Sequence, residues 1–145
     1  MNILFVCVGN TCRSPLAEAL LKSKLRKRRV KDVSVKSCGV RAQNGLPASN
    51  LSIAVAEENK LALKRFKSTQ FNEELKNWAD VIVCMTSELV PIINDVKAVC
   101  FTELYRIPAI SDPYGKDIEA YRKTFYDLNF ACELLVQDIL KNNKN

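Results

Sequence analysis

The chain has 145 residues, of which 48% are hydrophobic and 26% are charged, and its formal net charge is +6. This length and balance predict one domain, 1–145, with enough apolar residues to bury a core. The sequence contains no histidine, which excludes Ser-His-Asp and Cys-His catalysis and most imidazole-ligated metal sites. Any nucleophile must therefore be activated without an imidazole.

The first half of the chain alternates strand and helix patterns. Residues 3–8 form a continuous apolar run, which is typical of a strand covered on both faces. Apolar residues then recur at helical spacing over 17–25, and residues 33–37 predict a second strand. A second helix is predicted over 47–59, because the proline at its start is tolerated in a first helical turn.

The second half continues this alternation. Residues 81–85 and 98–102 predict two more strands, with a helix over 87–94 between them. The clearest helix covers 118–139, where apolar residues are spaced by threes and fours on one face. Asp117 is its predicted N-cap.

Strands that alternate with helices predict right-handed βαβ crossovers. The expected fold class is α/β: a small doubly wound, flavodoxin-like sheet of four parallel strands with helices on both faces, followed by a frayed tail at 142–145. In such sheets, ligands bind beyond the carboxyl ends of the strands, where the strand order switches. The loop that follows the first strand lies there, and it reads Cys7-Val8-Gly9-Asn10-Thr11-Cys12-Arg13-Ser14.

The cysteines are predicted to be reduced thiols, with no metal or other cofactor bound. A chain of this length does not need disulfides to fold, and no CxxC pair is present. No segment approaches the ~20 uninterrupted apolar residues of a membrane span, and the apolar N-terminus lacks a cationic leader. We therefore expect a cytoplasmic protein that does not contact membranes.

A basic segment at 22–31 supplies much of the positive charge. It fits a solvated helix C-terminus whose cations complement the helix dipole, a nucleic-acid patch, or a surface that attracts acidic phosphoproteins. No interleaved aromatic and basic stripe is present, so we expect no nucleic-acid partner. The cations of the segment are Lys22, Lys24, Arg26, Lys27, Arg28, Arg29 and Lys31.

The loop 7–14 has the chemistry of a phosphate site. Gly9 and Asn10 tolerate unusual backbone angles, which lets successive N–H groups converge on one point at a helix N-terminus. Arg13 adds a planar fork that matches two phosphate oxygens. The same positive environment lowers the pKa of a cysteine, so Cys7 is a candidate nucleophile. Ser14 is expected to hydrogen-bond the Cys7 sulfur, to cap the first helix, or to do both.

Phosphoryl transfer also needs a proton donor, which must be a carboxylic acid here because histidine is absent. Asp112 is the best candidate, since it lies in the loop between the fourth predicted strand and the last helix. Pro113 stiffens the backbone directly after it. The alternative is that this Asp-Pro pair is only a turn signal.

The loop 7–14 and the sequence Asp112-Pro113-Tyr114-Gly115 together resemble the low-molecular-weight protein tyrosine phosphatase family, with its pattern C-x5-R-S and its late Asp-Pro pair. The resemblance covers most of the chain, including the sequences at 37–40 and 79–85. It implies that Cys7 is the nucleophile and Arg13 the phosphate clamp. It also implies that Asp112 is the general acid and then the base. Asn10 is implied as a loop organiser and Ser14 as a thiolate partner.

Thr11 narrows the range of expected substrates. Tyrosine phosphatases of the family usually carry isoleucine or leucine at this position, whereas its protein arginine phosphatases carry threonine. A hydroxyl at the pocket rim can hydrogen-bond a guanidinium, whereas an aliphatic side chain suits a phenyl ring. The alternative is that Thr11 is a neutral loop residue, since one hydroxyl among backbone donors need not decide specificity. Tyr114 is followed by glycine, while tyrosine phosphatases more often place two aromatics after Asp-Pro. The resemblance therefore implies phosphoarginine in proteins as the substrate, with phosphotyrosine as the alternative.

Some features depart from the family or leave other functions open. Leu16 replaces a smaller residue or methionine, and 64–68 lacks the histidine that many members have. Similar arsenate reductases relay a disulfide through further cysteines, which this chain lacks near 91. A phosphocysteine carrier would not require Arg13 and Asp112 in these places. A non-catalytic phosphoprotein-binding module would need neither a nucleophile nor an acid. Cys12 is either a small loop filler or a partner for Cys7 in a reversible disulfide. We expect a monomer or a weak dimer.

Overall fold

The structure is a computed structural model that describes residues 1–143. Within these residues the chain forms a sheet of four parallel strands in the order β2-β1-β3-β4. Because the chain leaves β1 for one side and later returns to the other, the switch in strand order lies at the carboxyl end of β1. The strands are Asn2–Cys7 (β1), Ser34–Gly39 (β2), Val81–Cys84 (β3) and Ala98–Cys100 (β4).

Helices cover both faces of the sheet, which confirms the predicted doubly wound α/β class. Ile3 and Phe5 of β1 face one core cluster, whereas Leu4 and Val6 face the other. Successive residues of a strand point to opposite faces, so the apolar run of β1 reflects burial on both sides. The helices are Arg13–Lys27 (α1), Asn50–Glu58 (α2), Glu73–Trp78 (α3), Leu89–Ile93 (α4), Phe101–Leu104 (α5) and Ile118–Asn143 (α6).

Several element boundaries differ from the predictions. The second helix does not begin at 47, because Ser49 caps it and accepts a hydrogen bond from the Ser52 N–H at 3.2 Å. The fourth strand ends at Cys100, and the apolar residues that follow it are helical, since a short apolar run fits either structure. The short helix α3 was not predicted, although Asn72 caps it and two glutamates follow.

The end of the chain is more regular than predicted. Asp117 is the N-cap of α6, as expected, because its side chain accepts a hydrogen bond from the Ala120 N–H at 3.1 Å. The helix continues through Asn143, so residues 142–143 are helical. Residues 144–145 of the predicted tail lie outside the described part. Among residues 1–143, no helix combines the length and apolar content that a membrane span requires.

Part of the basic segment ties α1 to α6. Lys24 Nζ donates to Glu133 Oε2 at 2.9 Å, and Arg28 donates to the other oxygen of the same carboxylate. The hydrogen bond from Lys24 is the largest of the effects that hold the pKa of Glu133 below its ordinary value. These two cations therefore have a structural role, while Arg26 and Lys27 at the end of α1 are exposed.

Glu133→Gln is expected to lower the free energy of unfolding by about 0.5–1 kcal/mol at neutral pH, which is typical of partly exposed ion pairs. Because folding lowers the pKa of Glu133, its contribution to the free energy of unfolding is complete above the pKa of the unfolded chain, about 4.3. This contribution is lost as the pH falls through the pKa of the folded protein. Urea denaturation at several pH values measures this. Asp127→Asn is the control, because its partner Lys123 lies on the same helix and its loss should be smaller, about 0.3 kcal/mol. Equal losses in both variants would contradict the expectation.

Candidate active site

A pocket of about 290 Å³ opens at the carboxyl end of β1, where the switch in strand order lies. It is formed by the loop between β1 and α1 together with two residues from the segment before α6. The pocket therefore brings together residues more than 90 positions apart in the chain. Its lining residues are Cys7, Val8, Gly9, Asn10, Thr11, Cys12, Arg13, Asp112 and Tyr114.

Cys7 lies at the base of this pocket with only 3% of its surface exposed. Its sulfur accepts a hydrogen bond from the Asn10 N–H at 3.2 Å and lies 2.7 Å from Ser14 Oγ. Burial raises the pKa of the Cys7 thiol, while these hydrogen bonds and the charge of Arg13 lower it. Burial is the largest effect, so the net direction is upward. The lowering expected from the sequence is thus present but is outweighed.

Ser14 contacts Cys7 but does not cap α1. The helix begins at Arg13 and its N-cap position is Cys12, which provides no side-chain cap. The N-cap interpretation of Ser14 is therefore wrong, because the residue already lies inside the first turn. Its hydroxyl is fully buried and close to the Cys7 sulfur, which agrees with the other expected contact.

Asn10 determines the shape of the loop. Its φ of +57° lies in the left-handed region, which asparagine tolerates better than most residues. Its amide nitrogen donates to Ser14 Oγ at 2.8 Å and to Ser37 Oγ at 3.0 Å, and its amide oxygen accepts from the Thr69 N–H at 2.8 Å. The side chain is completely buried. Three separate parts of the chain thus hold one side chain in place.

Gly39, at the end of β2, allows the strand to approach this loop. A Cβ atom at position 39 would collide with the Val8 carbonyl oxygen and would lie 2.9 Å from the Asn10 nitrogen. The close approach lets the Val40 N–H donate to the Cys7 carbonyl oxygen at 3.1 Å. In the sequence, the segment 37–40 stands out only through its resemblance to the phosphatase family. Its physical role is to leave room for the loop.

Arg13 and Asp112 meet at the mouth of the pocket. Arg13 is buried, and its Nη1 donates to the Ile110 carbonyl oxygen at 3.3 Å. Its Nη2 lies 3.5 Å from Asp112 Oδ2, and the Asp112 side chain is 52% exposed. The Asp112 side chain also accepts a hydrogen bond from the Tyr114 N–H at 3.1 Å. The sequence left open whether Asp112 forms a turn or acts as a general acid. In this geometry, one residue is compatible with both roles.

The whole chain matches one protein family. Residues 2–145 match the model of the family described as low molecular weight phosphotyrosine protein phosphatase. The chain belongs to this family. It is a protein phosphatase, and its fold is that of its solved relatives, as shown by a Bacillus subtilis YwlE mutant with a TM-score of 0.89 at 33% identity over 96% of this chain and 98% of the other.

This phosphatase is similar to members of two kinds. A protein-arginine-phosphatase of Bacillus subtilis is 32% identical over 99% of this chain and 100% of its own length. The low molecular weight protein-tyrosine-phosphatase PtpB of Staphylococcus haemolyticus is 37% identical over 88% of this chain and 92% of its own. A structure of the YwlE arginine phosphatase with a phosphorylated active-site serine in place of cysteine superposes with a TM-score of 0.92 at 32% identity, covering 99% of each chain.

The two remaining loop residues of interest in the phosphatase are Thr11 and Cys12. Thr11 lies in the pocket wall and is partly exposed. Cys12 Sγ lies 3.4 Å from the Tyr121 hydroxyl and 3.6 Å from Ser49 Oγ. All the cysteines fall within the described residues, where they are free thiols. Cys12 thus packs between the loop and α6, and a disulfide with Cys7 stays a prediction.

Proposed function

We propose that this phosphatase removes phosphate from arginine side chains of proteins through a phosphocysteine intermediate on Cys7. The observation that carries the proposal is that Thr11, a residue with a hydroxyl, lines the pocket; this hydroxyl lies 3.8 Å from Cys12 Sγ. A guanidinium carries N–H donors around its edge, so a hydrogen-bonding wall suits it better than an aliphatic one. The full-length similarity to a protein named as an arginine phosphatase supports the same substrate.

In the first step, the Cys7 thiolate attacks phosphorus and forms an S–P bond while the bond to the substrate nitrogen breaks. Loop N–H groups and the Arg13 fork take up the charge on the phosphoryl oxygens. Asp112, as the acid, gives its proton to the leaving nitrogen.

In the second step, Asp112 acts as a base. It takes a proton from a water molecule whose oxygen attacks phosphorus, and the S–P bond breaks. The electron pair returns to the Cys7 sulfur, where the hydroxyl of Ser14 and the N–H of Asn10 stabilise it. Inorganic phosphate leaves, and the thiolate is regenerated without a metal or cofactor. A cytoplasmic location is part of the proposal, because the mechanism needs a reduced thiol.

The alternative substrate is phosphotyrosine. Tyr114 is 75% exposed at the pocket and Val8 is 41% exposed, so two apolar side chains are available to contact a phenyl ring. The similarity to a protein-tyrosine-phosphatase of Staphylococcus haemolyticus is consistent with this choice.

Substitutions of Thr11 separate these two substrates. Thr11→Val removes the hydroxyl at nearly constant volume, and Thr11→Ile adds the side chain usual in tyrosine phosphatases. Both are expected to lower kcat/KM for phosphoarginine peptides by about 10- to 100-fold, relative to phosphotyrosine peptides, because a polar substrate loses a hydrogen bond. Thr11→Ser, which retains the hydroxyl, should keep the wild-type preference. If the wild type prefers phosphotyrosine peptides, arginine specificity is wrong.

A further inference from the structure

A continuous chain of hydrogen bonds links the pocket to an acidic residue that lies outside it. Glu18, one turn further along α1 than Ser14, accepts a hydrogen bond from Ser37 Oγ at 2.7 Å. Ser37 Oγ in turn accepts from the amide nitrogen of Asn10 at 3.0 Å. The same amide group donates to Ser14, which contacts the Cys7 sulfur. Every link is between 2.7 and 3.0 Å long.

The donors and acceptors in this hydrogen-bond chain have a fixed order, because an ionised carboxylate only accepts hydrogen bonds. The Ser37 hydroxyl must donate to Glu18, so that its lone pairs face Asn10. The amide nitrogen of Asn10 then donates one hydrogen to Ser37 Oγ and the other to Ser14 Oγ. Since Ser14 Oγ accepts that hydrogen, its own proton has two acceptors in reach, the Cys7 sulfur at 2.7 Å and the Cys38 carbonyl oxygen at 3.5 Å, and the sulfur is the nearer. A thiolate needs this arrangement, whereas a thiol does not.

We propose that Glu18 is a positioning residue, which orients the buried donors toward the Cys7 sulfur. This inference rests on the proposed role of Cys7 as the nucleophile. Glu18 does not touch the substrate site; it acts through the side chains between them. These hydrogen bonds are made by a carboxylate, two hydroxyls and an amide, so they order the donors without the imidazole that the sequence lacks.

Charged groups lie near both ends of this hydrogen-bond chain. They provide a competing explanation, in which Glu18 acts on Cys7 only through its charge. Lys22 Nζ lies 2.7 Å from the second Glu18 oxygen, and Lys36, Arg65 and Lys67 line a cavity beside it. At the other end, Arg13 and Cys38 interact electrostatically with Cys7, and Asp112 lines the same pocket. If Glu18 acted only by its charge, its removal would make the thiolate easier to form. If it positions the donors, its removal makes the thiolate harder to form.

The test measures how fast iodoacetamide alkylates Cys7 at different pH values, with the modified peptide quantified by mass spectrometry. Glu18→Ala and Ser37→Ala are each expected to slow the reaction by about tenfold near pH 6, the value of one hydrogen bond to a charged group. At high pH, where the thiol is ionised in every variant, the rates should converge. The double variant should be no slower than the slower single variant, because both substitutions break the same chain.

Glu133→Ala is the matched control, because Glu133 also accepts a hydrogen bond from a lysine of α1, and within residues 1–143 no hydrogen bonds connect it to Cys7. It should alkylate at the wild-type rate. Unchanged or faster alkylation in Glu18→Ala, or additive effects in the double variant, would overturn the proposal. Should Glu18→Ala fail to fold, Ser37→Ala still tests the link. Alkylation needs no substrate, so a failure of the proposed phosphatase mechanism would be seen separately, as turnover by a Cys7→Ser variant.

Discussion

Cys7→Ser is expected to abolish turnover of every phosphorylated substrate, by at least about a thousandfold in kcat. A serine hydroxyl is a much weaker acid than a thiol, and burial in this pocket raises the pKa even of the Cys7 thiol, despite the hydrogen bonds from Ser14 and Asn10 and the charge of Arg13. Should the serine capture a phosphoryl group, the alkoxide is a poor leaving group, so the second step would stop. The phosphorylated active-site serine in the related YwlE structure is consistent with such a trapped state.

The measurement is steady-state hydrolysis of p-nitrophenyl phosphate and of phosphoarginine peptides, together with mass spectrometry of the variant after exposure to substrate. Cys100→Ser is the control, because Cys100 is equally buried but lies on β4 beside the Thr102 hydroxyl, which can bond a serine. It should retain wild-type turnover. Substantial hydrolysis by Cys7→Ser would exclude Cys7 as the nucleophile.

Asp112→Asn is expected to lower kcat by about 10²- to 10⁴-fold, which is the usual contribution of a general acid. The loss should depend on the leaving group. Arginine nitrogen is a strong base and tyrosinate a weaker one, with parent pKa values above 12 and near 10, so the phosphoarginine substrate needs the proton most. Hydrolysis of p-nitrophenyl phosphate, whose leaving group is a weak base, should suffer least.

The matched control is Asp117→Asn, which replaces another aspartate of the same region outside the pocket. Asparagine caps helices as well as aspartate does, so α6 should keep its N-cap and the enzyme its rate. An equal loss for all three leaving groups would show that Asp112 supports the pocket by its contact with Arg13 rather than by proton transfer. Equal losses in the two variants would point to a general effect on this region.

The fold could be predicted because its information is local. The apolar run of β1 and the spacing of α6 each follow from one stretch of sequence, and alternation of strands and helices then leaves few arrangements. The errors arose where local signals were ambiguous. Phe101 continues an apolar run but begins a helix. The short helix α3 has only an N-cap and two glutamates as sequence signals.

The candidate site was predictable only in part. Cys7, Arg13 and Asp112 carry chemical groups that can be recognised in a sequence, and the structure brings them together. Ser37, Thr69 and Gly39 act through hydrogen bonds or through the space they leave, and no spacing in the sequence records this. The direction of the Cys7 pKa shift was missed for a related reason, since burial depends on the packing of the whole domain rather than on the loop.

The bracing of Asn10 has a consequence for protein engineering. A designer who grafted residues 7–14 onto another parallel sheet would transfer the nucleophile and the arginine but not the curvature of the loop. The left-handed asparagine depends on Ser37 and Thr69, which are 27 and 59 residues away, and on a strand end without a Cβ atom at position 39. The portable unit is therefore the loop together with the end of β2 and the segment around Thr69, so a graft of the contiguous motif alone should yield an inert scaffold.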